Sequence, residues 1–415
     1  MTLPAPTPRR SFPAFRHRGF RAHFATYLLA MMADNIEHVI SYWMMFKQFN
    51  SPALGGFAVI SHWLPFLLFS VPAGALSDRF DPRRVIQCGM GLFILASLGW
   101  AFFFITGTLQ MWHAMVLLTI HGCAGVLWQG ASQMLLHDIV PTEDLPSAVR
   151  LNATARTLGV LVGPAVGAAI MLTVGPRWGL VVNACFFLPA VFWLWKAPYG
   201  HKFRGLAAAP ARAVRGFADI WRTVAEVKSD RLLVSMIVLA GCASFFVGNS
   251  YQAQMPGFAH DLGHGDSGMA YSMLLAADAA GALVAVLLLE SRGGLLPTTP
   301  RVAVLMAMLW CVSLASFAAT GSYPLALVLL FAAGVFELAF SSMAMTLVQL
   351  NAPAASRGRV IGLFNMSALG LRAAAGVTVG LAGEAVGIHG SLIASALALL
   401  VVLSLLSYWL GKNRR

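Results

Sequence analysis

The chain alternates long apolar runs with short polar breaks from one end to the other. A run of about 20 apolar residues is the length that crosses a hydrocarbon core ~30 Å thick. Twelve such runs predict membrane-spanning helices over 22–48, 53–77, 85–106, 111–136, 149–174, 178–195, 232–256, 268–289, 301–320, 324–349, 359–384 and 390–410. One sizeable polar interruption, Lys196–Arg231, parts the first six from the last six. The expected organisation is an N-terminal six-helix bundle (1–195), a linker (196–231) and a C-terminal six-helix bundle (232–415). Within the linker, GFADIWRTVAEV carries the spacing of an amphipathic helix lying along a membrane surface.

Composition excludes a water-soluble globule. With 58% hydrophobic and 11% charged residues and a mean hydropathy of +0.74, the 415 residues cannot be covered by a polar surface. The class is an all-α, multi-pass membrane protein. A formal net charge of +12 would suit nucleic acid, but its distribution answers otherwise. Placing successive loops on alternate sides puts 24 of the 28 Lys and Arg on one side, Lys47 and Arg177 on the other, and Arg156 and Arg372 inside apolar runs. By the positive-inside rule both termini and the linker are cytoplasmic, and no nucleic-acid partner is expected. PRRSF near the N-terminus has a faint twin-arginine look, yet the apolar run after it is too long for a signal and holds Asp34 and Glu37, so an uncleaved first helix is expected. Cys88, Cys123, Cys185, Cys242 and Cys311 lie within or at the edge of apolar runs without CxxC spacing, and read as free thiols. HExxH, GxSxG and nucleotide-binding loops are absent from the sequence, so neither an enzyme nor an ATP-driven pump is expected.

The polar residues inside the apolar runs carry the chemistry. A charged side chain at a helix centre costs roughly 2.5–3.5 kcal/mol on insertion scales, so those present should face protein or a wet interior. In LLAMMADNIEHVISYWMMF (Leu28–Phe46), Asp34, Glu37, His38 and Ser41 fall on one helical face, which the spacing points toward a central cavity, with Asn35 and Tyr42 flanking it. A carboxylate there is suited to load and release a proton. The competing reading is a structural pairing of Asp34 with a buried arginine, Arg156 being one topological choice. Asp278, Glu337 and Arg372 complete the intramembrane charges. His113, His121 and His137 share one run but are spread along its axis, and HDLGHGD (His260–Asp266) is an outer-loop cluster; no metal site is expected from either. Tyr42, Trp43, Trp63, Trp128, Phe245, Phe246 and Tyr251 would suit a bulky, partly apolar substrate.

The halves show a weak internal repeat. A shift of 213 residues sets Asn152 on Asn365, Gly163 on Gly376 and Gly167 on Gly380, and a shift of 212 sets Asp78 on Glu290.

GALSDRFDPRR (Gly74–Arg84), between the second and third runs, resembles the loop motif of the major facilitator superfamily: Gly74, then Asp78 and Arg79, then the basic pair Arg83 and Arg84. GVLVGPAVG in the fifth run, with Gly159, Gly163, Pro164 and Gly167, resembles the antiporter motif of exporters in that superfamily. FRAHFATYLLA, TARTLGVLVGP and SRGRVIGLFNMSALGLRAAAG extend the likeness over nearly the whole chain, toward the drug and siderophore exporters that include macrolide-efflux and enterobactin-exporter proteins. The counterpart loop LLLESRGGLLPTTPR departs from the motif, keeping only Glu290 and Arg292.

The resemblance implies the major facilitator fold, alternating access in a bacterial inner membrane, and export of a small amphiphilic molecule by a monomer. The proton gradient would be the energy source, with no cofactor. Asp34, Glu37, Asp278 and Glu337 are then the proton-coupling candidates. Asn35, His38, Ser41, Tyr42, Arg156 and Arg372 are the cavity candidates, and Asp78 would pair with a helix end or an arginine of the other bundle at a cytoplasmic gate. A metal-ion or lysophospholipid transporter of the same fold, and a non-transporting receptor, remain as alternatives.

Overall fold

The computed structural model describes residues 11–49, 52–200, 214–248, 250–264, 268–290, 296–375 and 382–411, and among these no strand occurs. In the first half α1 (Arg18–Phe49), α2 (Pro52–Arg79), α3 (Pro82–Thr106), α4 (Met111–Ile139), α5 (Leu145–Thr173) and α6 (Pro176–Lys196) pack on one another. A short linker helix, α7 (Ala218–Val227), follows. The second half contains α8 (Arg231–Phe246), the short turns α9 (Ser250–Ala253) and α10 (Met255–Ala259), α11 (Gly268–Glu290), α12 (Pro300–Ala319), α13 (Tyr323–Asn351), α14 (Arg357–Asn365), α15 (Arg372–Ala375) and α16 (Ala382–Gly411). Nine helices among the described residues are long and apolar enough to cross a membrane.

The other three predicted spans depart from that description for local reasons. Helix α1 is long enough, but its charged and polar residues lower its hydropathy. The seventh span is interrupted: α8 ends where Gly248 takes a left-handed φ of 52°, and the chain resumes as α9 and α10. The eleventh span, expected as one helix over 359–384, is α14, a π-helical turn over Met366–Gly370 and α15; residues 376–381, which include Gly376 and Gly380 of the repeat, lie outside the described residues. Broken helices of this kind leave backbone groups free to line a binding region. Elsewhere the starts follow ordinary capping. Asp81 accepts from the Arg83 N–H (3.0 Å) before Pro82 opens α3, and Asp230 accepts from Leu232 (2.9 Å) and Leu233 (3.1 Å) at α8.

Each bundle is filled by large side chains. Trp100, Trp128, Phe93 and Phe187 are buried in the first, with Phe93 and Phe187 stacked at 5.0 Å, and Trp310, Phe258 and Phe317 are buried in the second. Leu172, Phe192, Trp195, Val401, Leu405 and Tyr408 are left exposed, as a belt facing lipid tails requires.

The glycines of the fifth helix set how α1 sits. A Cβ on Gly163 would come within 2.6 Å of Asn35 Cβ, and Gly159 and Gly167 lie against Met31 and Ile36. Close approach of α5 therefore fixes the α1 turn that carries Asp34 and Glu37.

Candidate functional site

Asp34 and Glu37, three residues apart on α1, do not stand free in a central cavity. The ring of His121 on α4 lies between them, with Nε2 at 2.7 Å from Asp34 Oδ1 and Nδ1 at 2.8 Å from Glu37 Oε1. Ser97 of α3 donates to the other Glu37 oxygen, and Asn183 of α6 donates to the Ser97 hydroxyl at 3.1 Å. All five residues are buried. With both carboxylates ionised each contact needs an N–H, so the geometry suits an imidazolium held by two carboxylates. The stripe of Asp34, Glu37 and Ser41 thus points into the N-terminal bundle, where Ser41 is also buried. The partner of the two acids is His121 and not Arg156. Asn35 donates to its own helix at Met31 O (2.8 Å).

His38, on the partly exposed side of α1, packs its ring 4.7 Å from His121, 4.8 Å from His62 of α2 and 5.1 Å from Tyr42. The histidines of α4 do stay apart from one another, but His121 meets His38 and His62 from other helices: the ligand atoms of these three lie within 4.8 Å of one another. Sequence spacing along one helix could not reveal a cluster built across three.

A second polar cluster occupies the C-terminal bundle. The hydroxyl of Tyr251, on α9, lies 3.1 Å from Asp278 Oδ2 of α11 and 3.2 Å from Glu337 Oε2 of α13, and Gln252 donates to Asp278 Oδ2 at 3.0 Å. A phenol has one proton to give, so both contacts are best satisfied when one carboxyl is protonated and donates to the phenol oxygen. Arg156 and Arg372 lie within electrostatic reach of Glu337. The Arg372 guanidinium also sits 5.1 Å over Trp63, whose ring lies 4.6 Å from His62. A continuous series of side chains, His121, His38, His62, Trp63 and Arg372, therefore runs from one cluster toward the other.

Contacts between the bundles gather at the face where the ends of α2 and α11 meet the starts of α14 and α5. Asp78 Oδ1 accepts from the Gly358 N–H (2.6 Å), and Oδ2 accepts from the Arg359 N–H (3.2 Å) and from Arg359 Nη1 (3.0 Å). The carboxylate thus sits at the N-terminus of α14, where helix dipole and free N–H groups favour an anion. Arg359 Nε also reaches Asp219 of α7 at 3.3 Å, which docks the linker helix onto this face. Backbone of Gly74 meets backbone of Gly358 so closely that neither position has room for a Cβ. The mirror arrangement occurs at α11, where Glu290 accepts from Ser147 (2.5 Å) and from Arg150 at the start of α5. Arg79, Arg83 and Arg84 serve their own bundle: Arg83 pairs with Asp81 (2.7 Å) and reaches Ala197 O (2.5 Å), Arg84 lies over Trp195, and Arg79 over Phe80. Arg150, Ser147 and Arg359 were not singled out in the sequence, and their signal was present: Glu290 aligns with Asp78, so its partner should begin the fifth helix as Arg359 begins the eleventh.

Two crossed carboxylate clamps thus join the two helical halves. A sequence model of the Major Facilitator Superfamily matches residues 23–377. The chain belongs to the Major Facilitator Superfamily. Among curated relatives it is 22% identical over 244 residues to the uncharacterized MFS-type transporter YfiS of Bacillus subtilis (strain 168), a match covering 57% of this chain and about half (55%) of that protein. Among solved structures, the human organic anion transporter MFSD10 superposes with a TM-score of 0.73 at 15% identity, over 95% of this chain and 99% of its own. The major facilitator FucP in its outward conformation gives 0.74 at 13% identity, over 96% and 99%. These structures share the fold. Membership of this superfamily makes the chain a multi-pass membrane protein of a transporter family rather than of an enzyme family.

Proposed function

We propose that this major facilitator is a proton-coupled exporter of a small amphiphilic molecule, working by alternating access in a bacterial inner membrane with both termini cytoplasmic. The observation that carries the coupling is the Asp278–Tyr251–Glu337 cluster, where one phenol proton serves two carboxyls, Asp278 buried and Glu337 partly buried, and a further proton completes the bonding. Arg372 beside Glu337 lets that proton matter to transport: when the acid is neutral, the guanidinium over Trp63 is released toward substrate. Trp63 with Arg372 supplies the aromatic surface and polar head that an amphiphilic molecule needs. The export direction is supported by the likeness of Gly159–Gly167 to an antiporter motif. The clamped face is the one toward which the basic loops, including the linker, converge, so this conformation would be open to the outside.

The test is transport of a fluorescent amphiphilic dye in proteoliposomes. Asp278→Asn and Glu337→Gln are expected to abolish uphill transport driven by an imposed pH gradient while retaining counterflow exchange. Wild-type pH-driven accumulation in both variants would remove the cluster as the coupling site. For the orientation, a reporter fused after Arg415 should be active on the cytoplasmic side; activity confined to the periplasm would reverse the assignment.

A further inference from the structure

We propose that His38, His62 and His121 form a binding site for one divalent first-row transition-metal ion in the N-terminal bundle. Three helices, α1, α2 and α4, each contribute one imidazole, and the candidate ligand atoms already lie within 4.8 Å of one another. A tetrahedral ion with metal–nitrogen bonds of about 2.0–2.1 Å sets its nitrogens about 3.4 Å apart. Closing the site therefore takes about 1–1.5 Å of movement, within the reach of side-chain rotation.

Two independent observations favour a ligand over simple ring packing. His62 Nδ1 is buried and has no hydrogen-bond partner, an arrangement that native interiors rarely leave standing. His121 is already oriented as metal-bound imidazoles are: its Nδ1 is engaged by the Glu37 carboxylate, which Ser97 and Asn183 hold in turn. Its Nε2 lies 2.7 Å from Asp34 Oδ1, so an ion bound at that nitrogen displaces the Nε2 proton to solvent, exchanges the hydrogen bond to Asp34 for coordination, and meets the Asp34 carboxylate as a further ligand. Two acids beside the site offset the charge of the ion. Imidazole-rich donors favour zinc, cobalt, nickel or iron(II) over magnesium or calcium. His38 and His62 are partly exposed while His121 is buried, which leaves an approach to the site. Phe93, 4.8 Å from the His121 ring, and Phe66 close its inner side.

The readout is binding alone, so it is separate from the coupling reading: a failed transport assay leaves it standing, and a failed titration leaves the Asp278–Glu337 assignment standing. The full-length protein, stripped with a chelator in detergent, is titrated with Zn2+ by calorimetry and with Co2+ by visible absorption. One ion per chain is expected, with ligand-field bands of tetrahedral cobalt and no competition from Mg2+. His38→Gln and His62→Gln should each weaken binding by about 100-fold or more, since even outer-shell partners are worth 10–100-fold. His260→Gln, on the outer-loop cluster, should leave it unchanged. His62→Cys keeps a ligand, so it should retain Zn2+ and add a sulfur-to-cobalt charge-transfer band, which distinguishes lost coordination from lost folding. Absence of stoichiometric binding in the wild type, or wild-type affinity in folded His38→Gln and His62→Gln, overturns the proposal.

Discussion

Asp78→Asn is expected to loosen the clamped face and to slow transport by an order of magnitude or more, while the protein still inserts and folds. The wild-type carboxylate takes three donors from the other bundle, two of them backbone N–H groups at the α14 N-terminus and one the Arg359 guanidinium. Hydrogen bonds to a charged group are worth about 1.5–3 kcal/mol each. An amide keeps one acceptor, turns an N–H2 toward a donor and removes the charge that the Arg359 guanidinium pairs with. Even about 2.8 kcal/mol lost from the clamped state alone would move the balance between open and clamped forms about 100-fold. Spin labels at Glu143→Cys and Ala354→Cys, exposed positions beside the starts of α5 and α14, report that balance once the five native cysteines are replaced. Longer label distances in Asp78→Asn are the expected result, with Glu290→Gln acting in the same direction through Ser147 and Arg150. An unchanged distance distribution together with a wild-type rate would show that the clamp does not control the cycle.

The fold was legible because a bilayer leaves few choices. Backbone groups in the hydrocarbon must be satisfied without water, which a helix does within its own segment, so apolar length alone reports helices. What length cannot report is where a helix breaks. Gly248 and the π turn at Met366–Gly370 lie within runs long enough to read as single helices, and scattered polar residues such as Gln252, Asn365 and Arg372 do not mark the break, which is written in local backbone geometry and packing.

The site was legible in its residues and less so in its partners. Asp34, Glu37, Asp278 and Glu337 stand out because charges at that depth are costly. Their partners do not stand out, since His121, Ser97, Asn183 and Tyr251 come from other helices and a long-range contact leaves no local periodicity. Helical spacing placed Asp34 and Glu37 on one face but could not tell the cavity from the bundle interior, because both adjoin α1. Asp78 was easier: the likeness to the gating motif pointed to a helix end or an arginine of the other bundle, and the carboxylate meets both.

The second large effect concerns the buried triad. His121→Leu is expected to destabilise the protein by about 3–5 kcal/mol, the usual loss when one partner of a buried ion pair is removed and a charge is stranded. The imidazole spans both carboxylates, at 2.7 and 2.8 Å, in a region where Asp34, Glu37, Ser97 and Asn183 are all shielded from water, so leucine would leave two acids facing an apolar side chain. Adding Asp34→Asn and Glu37→Gln to His121→Leu removes the stranded charges and should recover most of that loss, since a neutral amide can still bond to Ser97. Unfolding in detergent, followed for the single, double and triple variants as a thermodynamic cycle, separates this from simple loss of packing. A purely packing role for His121 would give the opposite pattern: a small cost for leucine, which matches the histidine volume, and further losses as the acids are neutralised.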